Sequence, residues 1–264
     1  MIMKNSVIAY YEKMAFPEHE YESVQHYLNA KGCCYTTRVY KETGKYKAGK
    51  RYLAPWGDVL KIDEVKTYWK VSDRPFYEEM TEAERAEIRK YSEDMGLPYE
   101  FIRFSRAERI AFRKAERTDA ELLVDIYNAA FYSDFVKYGA CPAYGRTKEQ
   151  MEASIVRYPK FIILSDGKPV GCVSCRETEE GVYEVGCLCV IPAYQGRGIG
   201  RQAVEFIQSY CENWQQFTLV TPVDKAENIR FYTEKCGFER VSEEMDGRVK
   251  VARFVLKRGD AEGA

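Results

Sequence analysis

EVGCLCVIPAYQGRGIGR, residues Glu184 to Arg201, is the stretch from which the rest of the chain is read. Val185, Leu188, Val190 and Ile191, with Cys187 and Cys189 as small apolar fillers, suit a buried strand. Pro192 has no backbone donor and stops that strand. Gln195-Gly196-Arg197-Gly198-Ile199-Gly200 then holds three glycines at alternate positions, and Ala203, Val204, Phe206 and Ile207 mark the apolar face of a following helix. Strand, glycine turn and helix N-terminus make an anion cradle. The first-turn amides lack intrahelical acceptors, the helix dipole adds partial positive charge, and glycine lets a phosphate approach them. Arg197 and Arg201 add cationic donors. The plain alternative is an ordinary glycine-rich turn, and the pattern is neither G-x-G-x-x-G nor a loop ending in Gly-Lys-Ser/Thr. Chemistry alone therefore predicts a phosphate site.

Val190 to Gly200, Val-x-Pro-x-x-Gln-Gly-Arg-Gly-Ile-Gly, also resembles the acetyl-CoA signature of the GNAT superfamily of N-acetyltransferases. The resemblance implies that the amides of Gln195, Gly196, Arg197, Gly198, Ile199, Gly200 and Arg201 hold the CoA pyrophosphate. It also implies that the backbone of Leu188, Cys189 and Val190 pairs with the pantetheine arm. A second stretch, Asn228-Ile-Arg-Phe-Tyr-Thr-Glu-Lys-Cys-Gly-Phe238, resembles the family's Asn-x-x-x-x-Phe-Tyr-x-x-x-Gly-Phe element, with one residue fewer between Asn228 and Phe231. Asn228 and Tyr232 stand at i and i+4, on one side of a helix capped near Asp224 and ended by Gly237.

Around these motifs the elements follow in regular order. Ile110–Ala115 reads as a strand, and Thr118-Asp119 as the cap of a helix bearing Leu122, Leu123, Ile126 and Tyr127. A loop runs from Phe131 to Thr147, and Thr147 opens a second helix to about Tyr158. Phe161–Leu164 and Val170–Glu177 form a hairpin across Asp166-Gly167. Beyond the glycine loop, a helix to about Asn213 leads into the strand Phe217–Val220. Strand, two helices, hairpin, strand, loop, helix, strand, helix and two strands is the order of a GNAT domain, over about residues 109–258. The expected fold is α/β (α+β): a mixed, mostly antiparallel sheet flanked by helices, preceded by an N-terminal α+β region (1–108) and followed by a disordered tail (259–264).

At 264 residues, 45% hydrophobic and 31% charged, the composition is that of a globular protein with ample core. A net charge of −1 argues against a generic nucleic-acid or anionic-membrane binder. No apolar run reaches membrane-spanning length and the N-terminus lacks a signal-peptide core, so a cytoplasmic location is expected. Nine cysteines cannot all pair within one chain. Cys172 and Cys175 form a CxxC, but no second CxxC exists and His19 and His26 are remote, so buried free thiols and no metal are expected.

In residues 1–108, the stretch 18–30 places Tyr21, Val24 and Leu28 at helical spacing before Gly32. Cys33–Tyr40 and Tyr46–Leu53 read as hairpin strands across 42–45. Seven basic residues against one acid between Lys31 and Arg51, interleaved with tyrosines, fit a solvated edge hairpin or a nucleic-acid-binding one. Residues 58–71 fit helix or strand. Thr81 and Glu84 form a capping box for a helix through about Met95.

The activity the resemblance implies is transfer of an acetyl group from acetyl-CoA to an amine by direct attack. Such a reaction needs a neutral nucleophile, oxyanion stabilisation and a proton for the thiolate. Tyr232 is the candidate general acid, Glu184 the candidate base, and a backbone N–H near Leu188 to Val190 the oxyanion donor. Asn228 and Phe231 belong with the CoA site, while Tyr132, Tyr138 and Tyr144 are candidates for binding a small-molecule, peptide or protein amine. A homodimer is compatible with this size. Two other readings fit the residues: a non-catalytic CoA-binding or sensing module, and a nucleic-acid-associated acyltransferase using 31–51.

Overall fold

The computed structural model describes residues 11–39, 43–91 and 93–261, which divide into two units between Arg109 and Ile110. In the first unit, β1 (Glu12–Lys13), β2 (Cys33–Val39), β3 (Arg51–Leu53), β4 (Val59–Tyr68) and β5 (Tyr99–Ala107) form a sheet ordered β1-β3-β4-β5-β2. Helix α1 (Tyr21–Lys31) ends on Gly32 at φ 72°, the left-handed cap the sequence predicts. Its Val24 and Leu28 pack with Met14, Phe16, Leu60, Ile62 and Phe104. Helix α2 (Glu82–Tyr91) opens on the predicted capping box: Glu84 N donates to Thr81 Oγ1 at 3.2 Å, and Thr81 N donates to Glu84 Oε2 at 2.8 Å. It stops short of the expected Met95.

The expected hairpin across 42–45 is not formed. β2 pairs antiparallel with β5, from Cys33 opposite Ser105 to Val39 opposite Tyr99, while β3 pairs with β4 and β1. Residues 40–42 of the expected turn lie outside the described residues. The reason is burial: Tyr46 and Tyr52 are each 2% exposed and pack edge-to-face at 5.1 Å. Tyr46 Oη accepts from Ala15 N, and Tyr52 Oη accepts from Lys47 N. Tyrosines that looked like surface partners for the lysines are core anchors with satisfied hydroxyls. Residues 58–71, ambiguous by pattern, are strand through Tyr68.

The second unit holds a sheet ordered β11-β12-β10-β9-β8-β7-β6. Its strands are β6 (Ile110–Lys114), β7 (Lys160–Ser165), β8 (Lys168–Glu179), β9 (Val182–Val190), β10 (Gln216–Pro222), β11 (Glu239–Asp246) and β12 (Val249–Lys257). All neighbours are antiparallel except β9 and β10. Helices α3 (Ala120–Tyr138) and α4 (Lys148–Arg157) bury Leu123, Ile126, Tyr127, Met151 and Ile155 with Ile162, Cys172 and Cys189. The other core joins α5 (Ile199–Tyr210) to Phe161, Ile163, Val173, Phe217 and Phe254. Phe206 centres it, stacked on Phe112 at 4.1 Å and edge-on to Phe161 at 5.0 Å; truncating it to Ala would cost roughly 3–5 kcal/mol. Residues one apart on β7 and β8 thus serve opposite cores, as a sheet buried on both faces requires.

Several local expectations shift. Asp119 is the N-cap of α3, within the expected Thr118-Asp119, but its carboxylate serves the turn before it (Arg117–Asp119, capped by Glu116): Glu116 N donates to Asp119 Oδ2 at 2.8 Å, and Arg113 grips Asp119 at 2.7 and 2.8 Å. Helix α3 runs to Tyr138 and ends at Gly139 (φ 71°), so Phe131, Tyr132, Asp134 and Tyr138 are helical rather than in a loop. Thr147 caps α4 as expected, through Gln150. α5 ends at Tyr210, three residues before Asn213. Residues 226–238 form α6 (Ala226–Arg230) running into a π-helical turn, Phe231–Lys235, with Lys225 rather than Asp224 at the cap. The expected tail opens with a helical turn, α7 (Arg258–Ala261), and residues 262–264 lie outside the described residues.

Candidate active site

The two central strands of the second sheet part company. β9 and β10 pair at only three positions: Val182, Tyr183 and Glu184 opposite Gln216, Phe217 and Thr218. Beyond these, Val185–Val190 and Leu219–Pro222 have no ladder partner across this seam among the described residues, although β10 keeps its pairing with β12 to Pro222. The cause is local. Ser174 stands opposite Cys187 and Cys175 opposite Val185, which leaves Gly186 as an extra, unpaired residue in β9. A bulge bends and twists its strand. It also flips the alternation: Tyr183 and Val185 pack on the α5 core, then Leu188 and Val190 do, while Cys187 and Cys189 pack under α3 and α4. A wedge with two unpaired backbone edges results, inside a sheet.

The glycine loop closes one end of the wedge. A short turn, Pro192–Tyr194, follows β9, and Gln195 Nε2 folds back to Val190 O at 2.8 Å. Gly198 takes φ 76° as the residue before α5, a conformation a side chain resists, so the first amides of α5 face outward. Gly200 serves another purpose: a Cβ there would stand 3.0 Å from Phe231 Cζ. Arg197 donates to Ala193 O at 2.8 Å and lies over the Tyr194 ring, and Arg201 pairs with Glu205 at 2.9 Å. Both guanidinium groups stay at the loop, partly engaged.

Tyr232 occupies the π-helical turn, 9% exposed among Phe231, Phe238 and Phe254. Burial pushes its phenol well above the ordinary value, with Cys236, Cys187 and Cys189 adding to the shift. Its hydroxyl makes no hydrogen bond among the described residues. At neutral pH it is a protonated, uncommitted donor beside the unpaired half of β9. A single extra residue in a helix makes such a turn, and π-turns are frequent at functional sites.

Other sequence-predicted residues are partly committed elsewhere. Asn228 Nδ2 donates to Thr221 Oγ1 at 2.9 Å, which fixes α6 on the free end of β10. Glu184 is the last residue of β9 paired with β10; Arg176 Nε and Nη2 both reach its Oε2, at 3.0 and 2.7 Å. Tyr138 donates to Asp224 Oδ1 at 2.6 Å, and Lys137 pairs with the other oxygen at 2.8 Å. With Lys225 paired to Asp134, these contacts tie the end of α3 to the loop after β10. Tyr132 and Tyr144 lie 6.0 Å apart, Tyr144 is stacked on Phe135 at 4.5 Å, and Tyr132 is 58% exposed. Under α3, the buried Lys160 donates to Tyr127 Oη at 3.3 Å.

Sequence reasoning missed Gly186, Gly171, Thr221 and Lys225. Gly171 was legible only through its partner: a Cβ there would stand 2.3 Å from Cys189 O. Among the described residues no cluster of histidine, cysteine and acidic side chains suits a metal.

Residues 121–238 match the family model described as acetyltransferase (GNAT) family. An uncharacterised protein of Bacillus subtilis, YrkN, is 35% identical over 82 residues, which is 31% of this chain and 44% of that protein. Among solved structures, an acetyltransferase from Thermus thermophilus is 20% identical with a TM-score of 0.48, covering 56% of this chain and 96% of its own. A spermidine N-acetyltransferase from Vibrio cholerae, solved with CoA and spermine, is 18% identical with a TM-score of 0.48, covering 58% and 98%. The residues that match the acetyltransferase (GNAT) family model, 121–238, hold the wedge, the glycine loop and the π-helical turn together.

Proposed function

We propose that this domain moves an acetyl group from acetyl-CoA directly to an amine, without a covalent enzyme intermediate. The observation that carries the reading is the wedge between β9 and β10, which leaves backbone donors and acceptors open beside a loop of outward amides. An extended arm bearing amides satisfies such an edge as an added strand does. Leu188, Cys189 and Val190 supply that edge, and the amides from Gln195 to Arg201 take the pyrophosphate at the start of α5. Asn228 and Phe231 line the opposite side, Asn228 through its anchoring of Thr221.

A backbone N–H near Leu188 to Val190 stabilises the oxyanion as the amine attacks. Tyr232 then gives its proton to the departing thiolate. Burial raises the phenol, but it raises a thiol held in the same wedge as well, so the difference that governs transfer is smaller than the Tyr232 shift alone. Glu184 keeps Oε1 open while Arg176 holds Oε2, and it accepts the amine proton through water. The acceptor enters past Tyr132 and Tyr144, whose rings suit an aliphatic amine or a peptide side chain. The contacts of Tyr138 and Lys137 with Asp224 hold this entrance in shape.

The test is thiol release from acetyl-CoA across a panel of polyamines, amino acids and lysine peptides, with the product identified by mass. Acetylated amine with stoichiometric CoA is the expected result. CoA binding without turnover on any amine would instead favour a sensing module.

A further inference from the structure

Cys172 and Cys175 invite reading as a redox pair, yet the sheet separates them: Cys172 is buried under α3 and α4, and Cys175 in the core beneath α5. The sulfur nearest Cys175 belongs to a residue 36 positions away. Cys175 Sγ and Cys211 Sγ lie 3.8 Å apart, both thiols free. Their backbones are held independently, Cys175 in the β8–β9 ladder opposite Val185, and Cys211 by its amide to Ile207 O at 2.9 Å and its carbonyl to Trp214 N at 3.1 Å. A disulfide needs about 2.05 Å between sulfurs. The remaining gap is within reach of side-chain rotation on a fixed backbone.

Access is present on one side. Cys211 lines an open cavity of about 820 Å³ whose walls include Glu177, Glu180, Tyr183, Tyr210 and Glu212. Of the other buried thiols, Cys172 makes its contact with the Tyr127 hydroxyl and Cys34 with its own neighbour's carbonyl; Cys189 meets the Cys187 sulfur on its own strand, beneath α3 and α4 and away from this cavity.

We infer that Cys175 and Cys211 form an oxidisable pair, converted by small disulfides entering through this cavity into an intramolecular disulfide. In the first step the Cys211 thiolate attacks the S–S bond of the reagent, a mixed disulfide forms, and one small thiolate leaves and takes the proton Cys211 gave up. Cys175, as thiolate, then attacks Cys211 Sγ and expels the second small thiolate, which takes the second proton. Two protein thiols lose two electrons, and the reagent gains them. The new bond ties the far end of α5, whose N-terminus carries the glycine loop, to β8.

Cystamine is the suitable probe, because its ammonium groups match the three glutamates of the cavity. The full chain is treated with cystamine, free thiols are alkylated under denaturing conditions, and the digest is mapped by mass. The expected result is one cross-linked peptide joining Cys175 to Cys211, any single mixed disulfides falling on the more exposed cysteines such as Cys33, Cys141 and Cys236, and a melting temperature for this unit raised by roughly 10 °C and restored by dithiothreitol. Cys211→Ser leaves Cys175 alkylatable and removes the shift, and Cys175→Ser leaves a mixed disulfide on Cys211. Full alkylation of both cysteines in the treated wild-type chain, or pairing of either with another cysteine, overturns the inference without any need for the variants to fold.

Discussion

The two sheets treat their central seams in opposite ways. In the N-terminal sheet β4 and β5 pair at nine positions, from Val59–Ala107 to Tyr68–Tyr99, while β9 and β10 pair at three. Both seams adjoin a bulge. In β4 the extra residue is Asp63, whose carboxylate accepts from Ser105 Oγ at 3.0 Å, and pairing resumes at Glu64. In β9 the extra residue is Gly186, on the side of β8, and the parallel partner β10 does not follow the bend. A bulge alone therefore does not open a sheet. The β4 bulge lies within the seam it interrupts and pairing resumes beyond it, whereas the β9 bulge faces β8 and leaves the edge towards β10 without a ladder, β10 keeping its seven pairs to β12. Unpaired backbone inside a fold is costly, so a seam left open is a place where another molecule completes the ladder.

The largest expected effect lies at the open seam. Tyr232→Phe should lower kcat on the order of a hundredfold with the acetyl-CoA KM nearly unchanged, since it removes a proton donor and little packing. In the wild type the rate should not fall through Tyr232 ionisation up to pH 10, because burial holds the phenol protonated past its ordinary value. Unchanged turnover in steady-state assays would remove Tyr232 from the mechanism. Gly200→Val should raise the acetyl-CoA KM about tenfold, as the new side chain displaces Phe231 and shields the first amides of α5. Glu184→Gln should lower kcat about tenfold; an unaltered kcat would reduce the residue to its pair with Arg176.

The smallest effect concerns stability, away from either seam. Arg113 holds the Asp119 carboxyl below its ordinary value, with the Glu116 amide adding to this. A depressed carboxyl contributes stability above its unfolded value of about 3.9 and loses it as pH falls through the lower folded value. Asp119→Asn should cost about 1–2 kcal/mol at pH 7 and progressively less below pH 4, read by thermal unfolding at several pH values.

The parts of this arrangement written locally were legible. The glycine loop, the capping box at Thr81, the helix start at Thr147 and the turn at Gly32 each depend on residues within a few positions, and the structure has them. Gly186 left a faint trace, the switch from apolar Tyr183 and Val185 to apolar Leu188 and Val190. A continuous apolar strand hides such a switch, because both of its faces are buried. What depended on distant partners was not legible. β2 pairs with β5 some seventy residues on rather than with the nearest strand, because Tyr46 and Tyr52 are drawn into the core. Tyr138 meets Asp224 from 86 positions away. The partner of Cys175 was hidden for the same reason, since the sulfur beside it arrives from the end of α5.

Amide hydrogen exchange tests the open seam most directly. Measured with and without CoA, the amides of Val185–Val190 and Leu219–Thr221 should exchange quickly in the free protein where they face the wedge. Those of Leu188 to Val190 should slow by tenfold or more once CoA is bound, while the β4–β5 amides stay unchanged. Equal protection of both seams in the free protein, or no slowing at Leu188 to Val190 at saturating CoA, would contradict the account.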